Sequence, residues 1–190
     1  LLYTDHLLKI PTSFSPDGKY LAYSTGGSPK TGSDIWILPD PLGTPLAAKP
    51  YLFMQTQFNE MAPQFSPDGH WIAYLSDETG RPEVYVAPFP GPGGKRQVST
   101  AGGTSARWRA DGKELFYIAL DNRLMAVEVS AKDGDFEVSN VEPLFGPLKT
   151  GGDSYDVSAD GQRILAIVPP EGETAAPLTV VQNWTAGLQK

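Results

Sequence analysis

Apolar residues in this chain arrive in short, β-rich bursts separated by Gly, Pro, Asp and Ser, and no stretch shows the three-to-four spacing of an amphipathic helix. Four bursts, Tyr20 to Ser24, Trp71 to Leu75, Glu114 to Ile118 and Arg163 to Ile167, each begin two residues after an Asp-Gly pair. Asp bonds its own backbone and Gly accepts a positive φ, so each pair predicts a tight reversal between two strands. The turns are Phe14-Ser15-Pro16-Asp17-Gly18, Phe65-Ser66-Pro67-Asp68-Gly69, Trp108-Arg109-Ala110-Asp111-Gly112 and Val157-Ser158-Ala159-Asp160-Gly161, with Asp-to-Asp spacings of 51, 43 and 49 residues.

Third strands are expected at Asp34 to Leu38, Glu83 to Ala87, Leu124 to Glu128 and Leu178 to Gln182. Outer strands are expected at Pro50 to Met54, at Lys95 to Ser99, and at Phe136 to Ser139 or Glu142 to Phe145. Four short strands per repeat at this period are the pattern of propeller blades. The fold class expected is therefore all-β, a β-propeller of about four blades with four antiparallel strands each, in one domain spanning 1–190. The blades fall at about 11–57, 62–100, 105–146 and 153–185, the last completed by 1–5, where Leu1 to Thr4 is free to supply the missing outer strand and remove an open edge.

Composition fits this reading. Gly (20) and Pro (18) make up about a fifth of 190 residues and are spread as turn punctuation, while 40% apolar residues supply a core. The net charge of −7 excludes a nucleic-acid surface, which needs a clustered surplus of Lys and Arg. No apolar run is long enough to span a bilayer, so no membrane insertion of this segment is expected. The opening Leu1 to Asp5 has neither an initiator Met nor a signal pattern and reads as a chain cut from something longer. With no cysteine, disulfides, thiolate metal sites and cysteine nucleophiles are out, and the redox compartment stays open. Asn183-Trp184-Thr185 matches the glycosylation sequon, a triplet that chance supplies often.

The Ser-Pro-Asp-Gly runs, followed by Lys19-Tyr20-Leu21-Ala22-Tyr23 and by His70-Trp71-Ile72-Ala73-Tyr74, resemble the TolB-like propeller repeat of bacteria. Two of the four copies keep the full motif and two keep only Asp-Gly. The stretch from Gly80 to Gly91 and the ending Asn183-Trp184 are similar to the C-terminal propeller of bacterial serine/threonine kinases of the eukaryotic type. That resemblance implies a sensing or protein-binding region outside the membrane, periplasmic or extracytoplasmic. It transfers no site, because the motif is a turn and packing device. The chain carries no Gly-rich nucleotide loop, no His-Arg-Asp or Asp-Phe-Gly triplet and no Gly-x-Ser-x-Gly elbow, so neither a kinase nor a hydrolase domain is present in it.

Candidate chemistry is sparse. His6 and His70 are the only imidazoles; His70 stands where other repeats carry Lys19, Lys113 and Gln162, the place of a solvated turn residue. Two imidazoles cannot build a histidine metal site, and the carboxylates Asp17, Asp68 and Asp111 are separated by whole blades, so no metal and no cofactor are expected. Gly91 to Gly94 and Gly102-Gly103 lack the strand-loop-helix context of a phosphate cradle.

Departures from the repeat point to a ligand surface. At the inner-strand position before each turn aromatic or Val stand Ser13, Gln64, Arg107 and Asp156, and two places later stand Ser15, Ser66, Arg109 and Ser158. The third repeat is cationic there and the fourth acidic, with an Arg107 to Asp156 bridge as the structural alternative. Loops entering the inner strands add Phe58, Glu60, Asp153 and Tyr155, an aromatic platform beside polar groups. The ligand-binding set is thus Phe58, Glu60, Gln64, Arg107, Arg109, Asp153, Tyr155 and Asp156, with no catalytic residue assigned.

These residues support a non-catalytic module that binds a protein, peptide or small ligand at its channel face. One alternative is a small lyase, lactonase or glycan hydrolase using Glu60, Asp153 and Asp156 as acid and base. Another is a homodimer in which two chains form an eight-bladed scaffold.

Overall fold

The computed structural model describes residues 5–27, 30–43, 48–91, 93–132, 134–149 and 154–169, together with the backbone of 178–182. The expected outer strand at Leu1 to Thr4 lies outside the described residues. Every regular element among them is a strand, and none is a helix long and apolar enough to cross a membrane. The chain divides into two compact units, Leu1–Gly102 and Gly103–Lys190, each holding two antiparallel sheets.

In the first unit, β1 (Lys9–Phe14), β2 (Tyr20–Thr25), β3 (Ile35–Pro39) and β4 (Tyr51–Met54) pair in chain order. The second sheet, β5 (Glu60–Phe65), β6 (Trp71–Ser76), β7 (Glu83–Pro88) and β8 (Arg96–Gln97), repeats that meander. The second unit pairs β9 (Thr104–Trp108), β10 (Glu114–Ile118), β11 (Leu124–Lys132) and β12 (Asp135–Phe145), then β13 (Tyr155–Val157), β14 (Arg163–Ile167) and β15 (Leu178–Gln182). The two outer-strand alternatives of the third sheet resolve into a single strand, β12. Its polar middle at Ser139 and Asn140 is absorbed by an irregular register opposite Val127 and Val129.

The turn between first and second strand is built identically four times. The NH groups of Gly18, Gly69, Gly112 and Gly161 donate to the carbonyls of Ser15, Ser66, Arg109 and Ser158 at 2.8–2.9 Å. The glycines have φ between 69° and 74°, the left-handed region that a side chain would strain. The Asp side chain caps the reversal by accepting the NH of Lys19, His70, Lys113 or Gln162 at 3.0–3.1 Å. In three copies the serine hydroxyl then bonds the Asp carboxylate and accepts the first NH of the second strand.

The cores follow from the strand sequences. β6 is buried at all six positions, consistent with a strand covered on both faces. In the first unit Ala22, Ile37, Phe65, Ile72 and Phe89 join both sheets in one cluster. Phe89 meets Tyr20 and Phe65 edge to face, with ring centroids 5.0 and 4.9 Å apart. Burying a side chain of this size contributes about 1.5–3 kcal/mol. The second unit has its own cluster around Phe116, Leu124, Leu148, Tyr155 and Ile164.

Candidate binding surfaces

Inner strands in the first unit are locked to each other by side chains bonding backbone. Thr12 donates its hydroxyl to the Pro63 carbonyl at 2.6 Å, Ser13 accepts the Phe65 NH at 3.1 Å, and Gln64 reaches the Thr12 carbonyl at 3.4 Å. Gln64 therefore sits half-buried in the seam between two inner strands. A register irregularity between Met61 and Gln64 accompanies a left-handed Ala62 (φ 52°), whose NH is held by the Ser24 hydroxyl at 3.0 Å. Such bulges re-aim neighbouring side chains at the cost of local backbone strain.

The loop entering β5 is bonded to the β2–β3 and β6–β7 connections beside it. Glu60 NH bonds the Ser33 carbonyl at 2.7 Å, Ser33 NH bonds the Asn59 side chain, and Asn59 is clamped by the Asp77 carboxylate through both its backbone and side-chain NH groups. The Asn59 bonds hold the Asp77 carboxyl below the usual carboxylate range. Phe58 is half-buried at this rim. Glu60 is 1% exposed and accepts both the NH and the hydroxyl of Thr56, at 3.1 and 2.5 Å. Burial pushes its carboxyl above the ordinary value, against the Thr56 bonds that pull it down.

Two residues that the sequence reading passed over hold this rim together. Asp34 and Glu83 stand at the same place in adjacent repeats, just before the core run of the third strand, and both are buried. Glu83 accepts the Arg81 guanidinium at 2.8 Å, the Gly102 NH at 2.9 Å and the Ser99 hydroxyl. The signal that points to them is an acid heading an otherwise apolar strand twice, one repeat apart.

In the second unit Tyr155 is buried and donates its hydroxyl to the Ser105 carbonyl at 2.7 Å, so it joins the inner strands of the two sheets there. Burial raises its phenol pKa; the Arg107 charge opposes this and the Asp156 charge adds to it. Ser105 itself is left-handed (φ 55°). Arg107 is half-buried and donates to the Ala106 carbonyl at 3.0 Å. Arg109 takes the turn serine's place and donates its guanidinium to Asp111 at 2.7 and 2.8 Å and to Glu114 at 2.8 Å. The Arg109 bond draws the Asp111 carboxyl down, whereas burial leaves Glu114 raised. Asp156 is exposed, with one oxygen accepting the Val157 NH at 2.9 Å. Asp153 lies outside the described residues.

Among the described residues a groove opens on each unit. One of about 390 Å3 runs in the first unit between the edge strand β4 and the Pro88 to Gly93 segment, lined by Tyr51, Leu52, Phe53 and Pro90. The other, about 240 Å3, lies in the second unit on one face of β13 and β14 and is lined by Asp156, Val157, Ser158, Arg163 and Leu165. Asp156 and Leu165 face each other across the strand pair, and Leu165 is 42% exposed. An acid, a base, a hydroxyl and an apolar side chain thus share one open patch.

No family model matches the chain, and no curated protein matches it. Among solved structures, TolB from Acinetobacter baumannii is similar at 21% identity and a TM-score of 0.67, over 94% of this chain and 41% of that one. The oligogalacturonate lyase solved with manganese is similar at 13% identity and a TM-score of 0.65, over 97% of this chain and 53% of that one. The β-propeller domain of Swd1 from Myceliophteria thermophila is similar at 14% identity and a TM-score of 0.55, over 92% and 58%. This chain spans less than two thirds of the length of each. At such identities the likeness is one of fold, and the fold is a TolB-like β-propeller of four antiparallel blades, three with four strands and one with three strands described.

Proposed function

We propose that this chain is a non-catalytic propeller module that binds a protein, peptide or small ligand on its inner strands and the loops entering them. The observation that supports it is the open patch of Asp156, Arg163 and Leu165 beside the turn serine Ser158, where Asp156 and Arg163 depart from the other repeats and opposite charges flank an apolar surface. Arg107, in the same unit, is a further contact in this reading, and Phe58 and Gln64 belong to a separate candidate surface on the first unit. Glu60, Arg109 and Tyr155, each bonded within its own unit, shape the surface rather than meet the ligand. The module belongs to a bacterial sensor outside the cytoplasmic membrane, in line with its resemblance to the kinase-attached propellers.

The test combines two readouts on the purified chain. Thermal unfolding is followed across a set of peptides, sugars and small organic acids, and turnover is measured on ester, lactone and glycan substrates. Saturable thermal stabilisation by one compound, lost in Asp156→Lys, without turnover, is the expected result. Turnover that disappears in Asp156→Asn contradicts it and favours the propeller-enzyme reading. Light scattering reads the association state: a mass near 20.5 kDa leaves the patch to one chain, and twice that mass makes it part of a dimer.

A further inference from the structure

The two sheets that have a following sheet in their own unit pack against it with the same repeat position, the fourth residue after the turn glycine. In the first unit that residue is Ala22, 0% exposed and clustered with Phe65 and Ile72 of the next sheet. In the second unit it is Phe116, 0% exposed and clustered with Tyr155, Ile164 and Ala166. In the sheet of β13, β14 and β15 the same position is Leu165, and it is 42% exposed. Two residues earlier, Tyr20 of the first sheet meets the Phe89 ring, whereas its counterpart Arg163 lines the open groove. The face that carries Leu165 thus occupies the place of a sheet-packing face and lies open.

Two opposite charges flank Leu165 on this face. Asp156 is directly opposite it in the β13–β14 register, is exposed, and accepts the Val157 NH on one oxygen at 2.9 Å. Arg163 lies two residues along β14, on the same side of the strand as Leu165. Its guanidinium stands 4.0 Å from Asp160, at the limit for an ion pair, with both side chains more than half exposed. An acid and a base set about an apolar centre form a surface complementary to itself. A twofold rotation that exchanges their places brings Asp156 of each copy onto Arg163 of the other, with Leu165 against Leu165 near the axis.

We infer that a second copy of this chain covers this face, in an isologous dimer that pairs Asp156 with the partner's Arg163 twice. The inference rests on the reading of this patch as a contact surface and names its partner. The repeat comparison identifies the occupant as another sheet face, and the charges select the face's own counterpart, because a purely apolar sheet would bury Asp156 and Arg163 unpaired. A face of three short strands is small beside the roughly 800 Å2 that each partner contributes to a standard interface, so the dimer forms at micromolar concentrations or above. It differs from two chains closing one eight-bladed ring, in which this face would meet the other chain's first sheet instead of its own counterpart.

The experiment is sedimentation equilibrium of the purified chain from about 1 μM to about 1 mM. The mass should rise with concentration from 20.5 kDa toward twice that value. Asp156→Arg and Arg163→Asp alone should each weaken association by at least about tenfold, because like charges then face each other. Mixing the two variants should restore it, since each then offers the charge the other lacks, and a misfolded variant could not be rescued in this way. A mass fixed at 20.5 kDa overturns the inference. If a compound still stabilises that monomer and Asp156→Lys abolishes the effect, the wider reading of the patch stands; if none does, both fail. A dimer indifferent to both single variants, or two variants that stay apart when mixed, overturns the inference as well.

Discussion

Asp34 and Glu83 occupy one position of the repeat in neighbouring blades, carry the same charge and are buried to nearly the same degree, yet only one has every oxygen bonded. Glu83 is longer by one methylene, and its loops bring Arg81, Ser99 and the Gly102 NH to it. Asp34 meets Thr31 and Gln55 on one oxygen and nothing on the other. The repeat thus fixes where a buried acid goes, and the loops, which differ between blades, decide whether it is satisfied. The turns teach the same lesson, since Arg109 replaces the serine of the other three and recruits Glu114 in doing so.

Neutralising each acid without changing its shape is the strongest test of the comparison. Glu83→Gln strips the partner from Arg81 and weakens the Ser99 and Gly102 bonds, and should cost about 2–3 kcal/mol in denaturant unfolding, with part of the loss at the half-exposed Arg81 recovered by solvent. Asp34→Asn, whose amide oxygen can keep the Thr31 and Gln55 bonds while its nitrogen takes the place of the unpartnered oxygen, should cost less than Glu83→Gln. Equal costs for the two would break the contrast. Next in size, Arg109→Ser restores the repeat residue but leaves the part-buried Glu114 without its cation, a loss of about 1–2 kcal/mol; an unchanged denaturation midpoint would mean that the guanidinium adds nothing over a serine.

Much of this frame was legible in the sequence. The four Asp-Gly turns, the four second strands and the starts of the four third strands lie within a residue of where turn chemistry and β-rich runs put them, since Asp, Gly and short-range alternation act locally, whereas β11 runs to Lys132, four residues past the expected Glu128. The outer strand of the third blade was ambiguous because Ser139 and Asn140 read as a break, and only pairing with β11 makes the strand continuous. The candidate surface was less legible. The burial of Glu60 and Tyr155 depends on Thr56 hydroxyl geometry and on Ser105, a partner 50 residues away, neither of which a local pattern displays. Asp34 was visible only by setting it beside Glu83.

Smaller effects sharpen the electrostatic side. Burial raises the Glu60 carboxyl above its ordinary 4.5, so the folded chain holds this proton more tightly than the unfolded chain does. Its stabilising contribution is complete below the unfolded pKa and is lost as pH rises through the raised folded value. The protein should therefore lose a little stability across that window, and Glu60→Gln should flatten the slope in urea midpoints measured from about pH 4 to about pH 7. The turn aspartates behave oppositely. The Ser15 hydroxyl, with Lys19, holds the exposed Asp17 carboxyl down to about 2, so its contribution is present above the unfolded value and lost as pH falls through the folded one. A carboxyl NMR titration of Ser15→Ala should show the Asp17 midpoint moved upward, and an unmoved midpoint would remove the serine from the turn's electrostatics.

The central claim is that the repeated positions hold the blades while departures from the repeat hold the ligand. Its most direct test is one titration, using the compound that stabilises the chain most, on Ser66→Ala and Asp156→Lys beside the unaltered protein. Ser66→Ala should lower unfolding stability by about 1 kcal/mol, having lost the bonds to Asp68 and Trp71, and bind as before. Asp156→Lys should keep its stability and lose affinity by about tenfold or more. Full affinity in Asp156→Lys, or lost affinity in a stably folded Ser66→Ala, would contradict the claim.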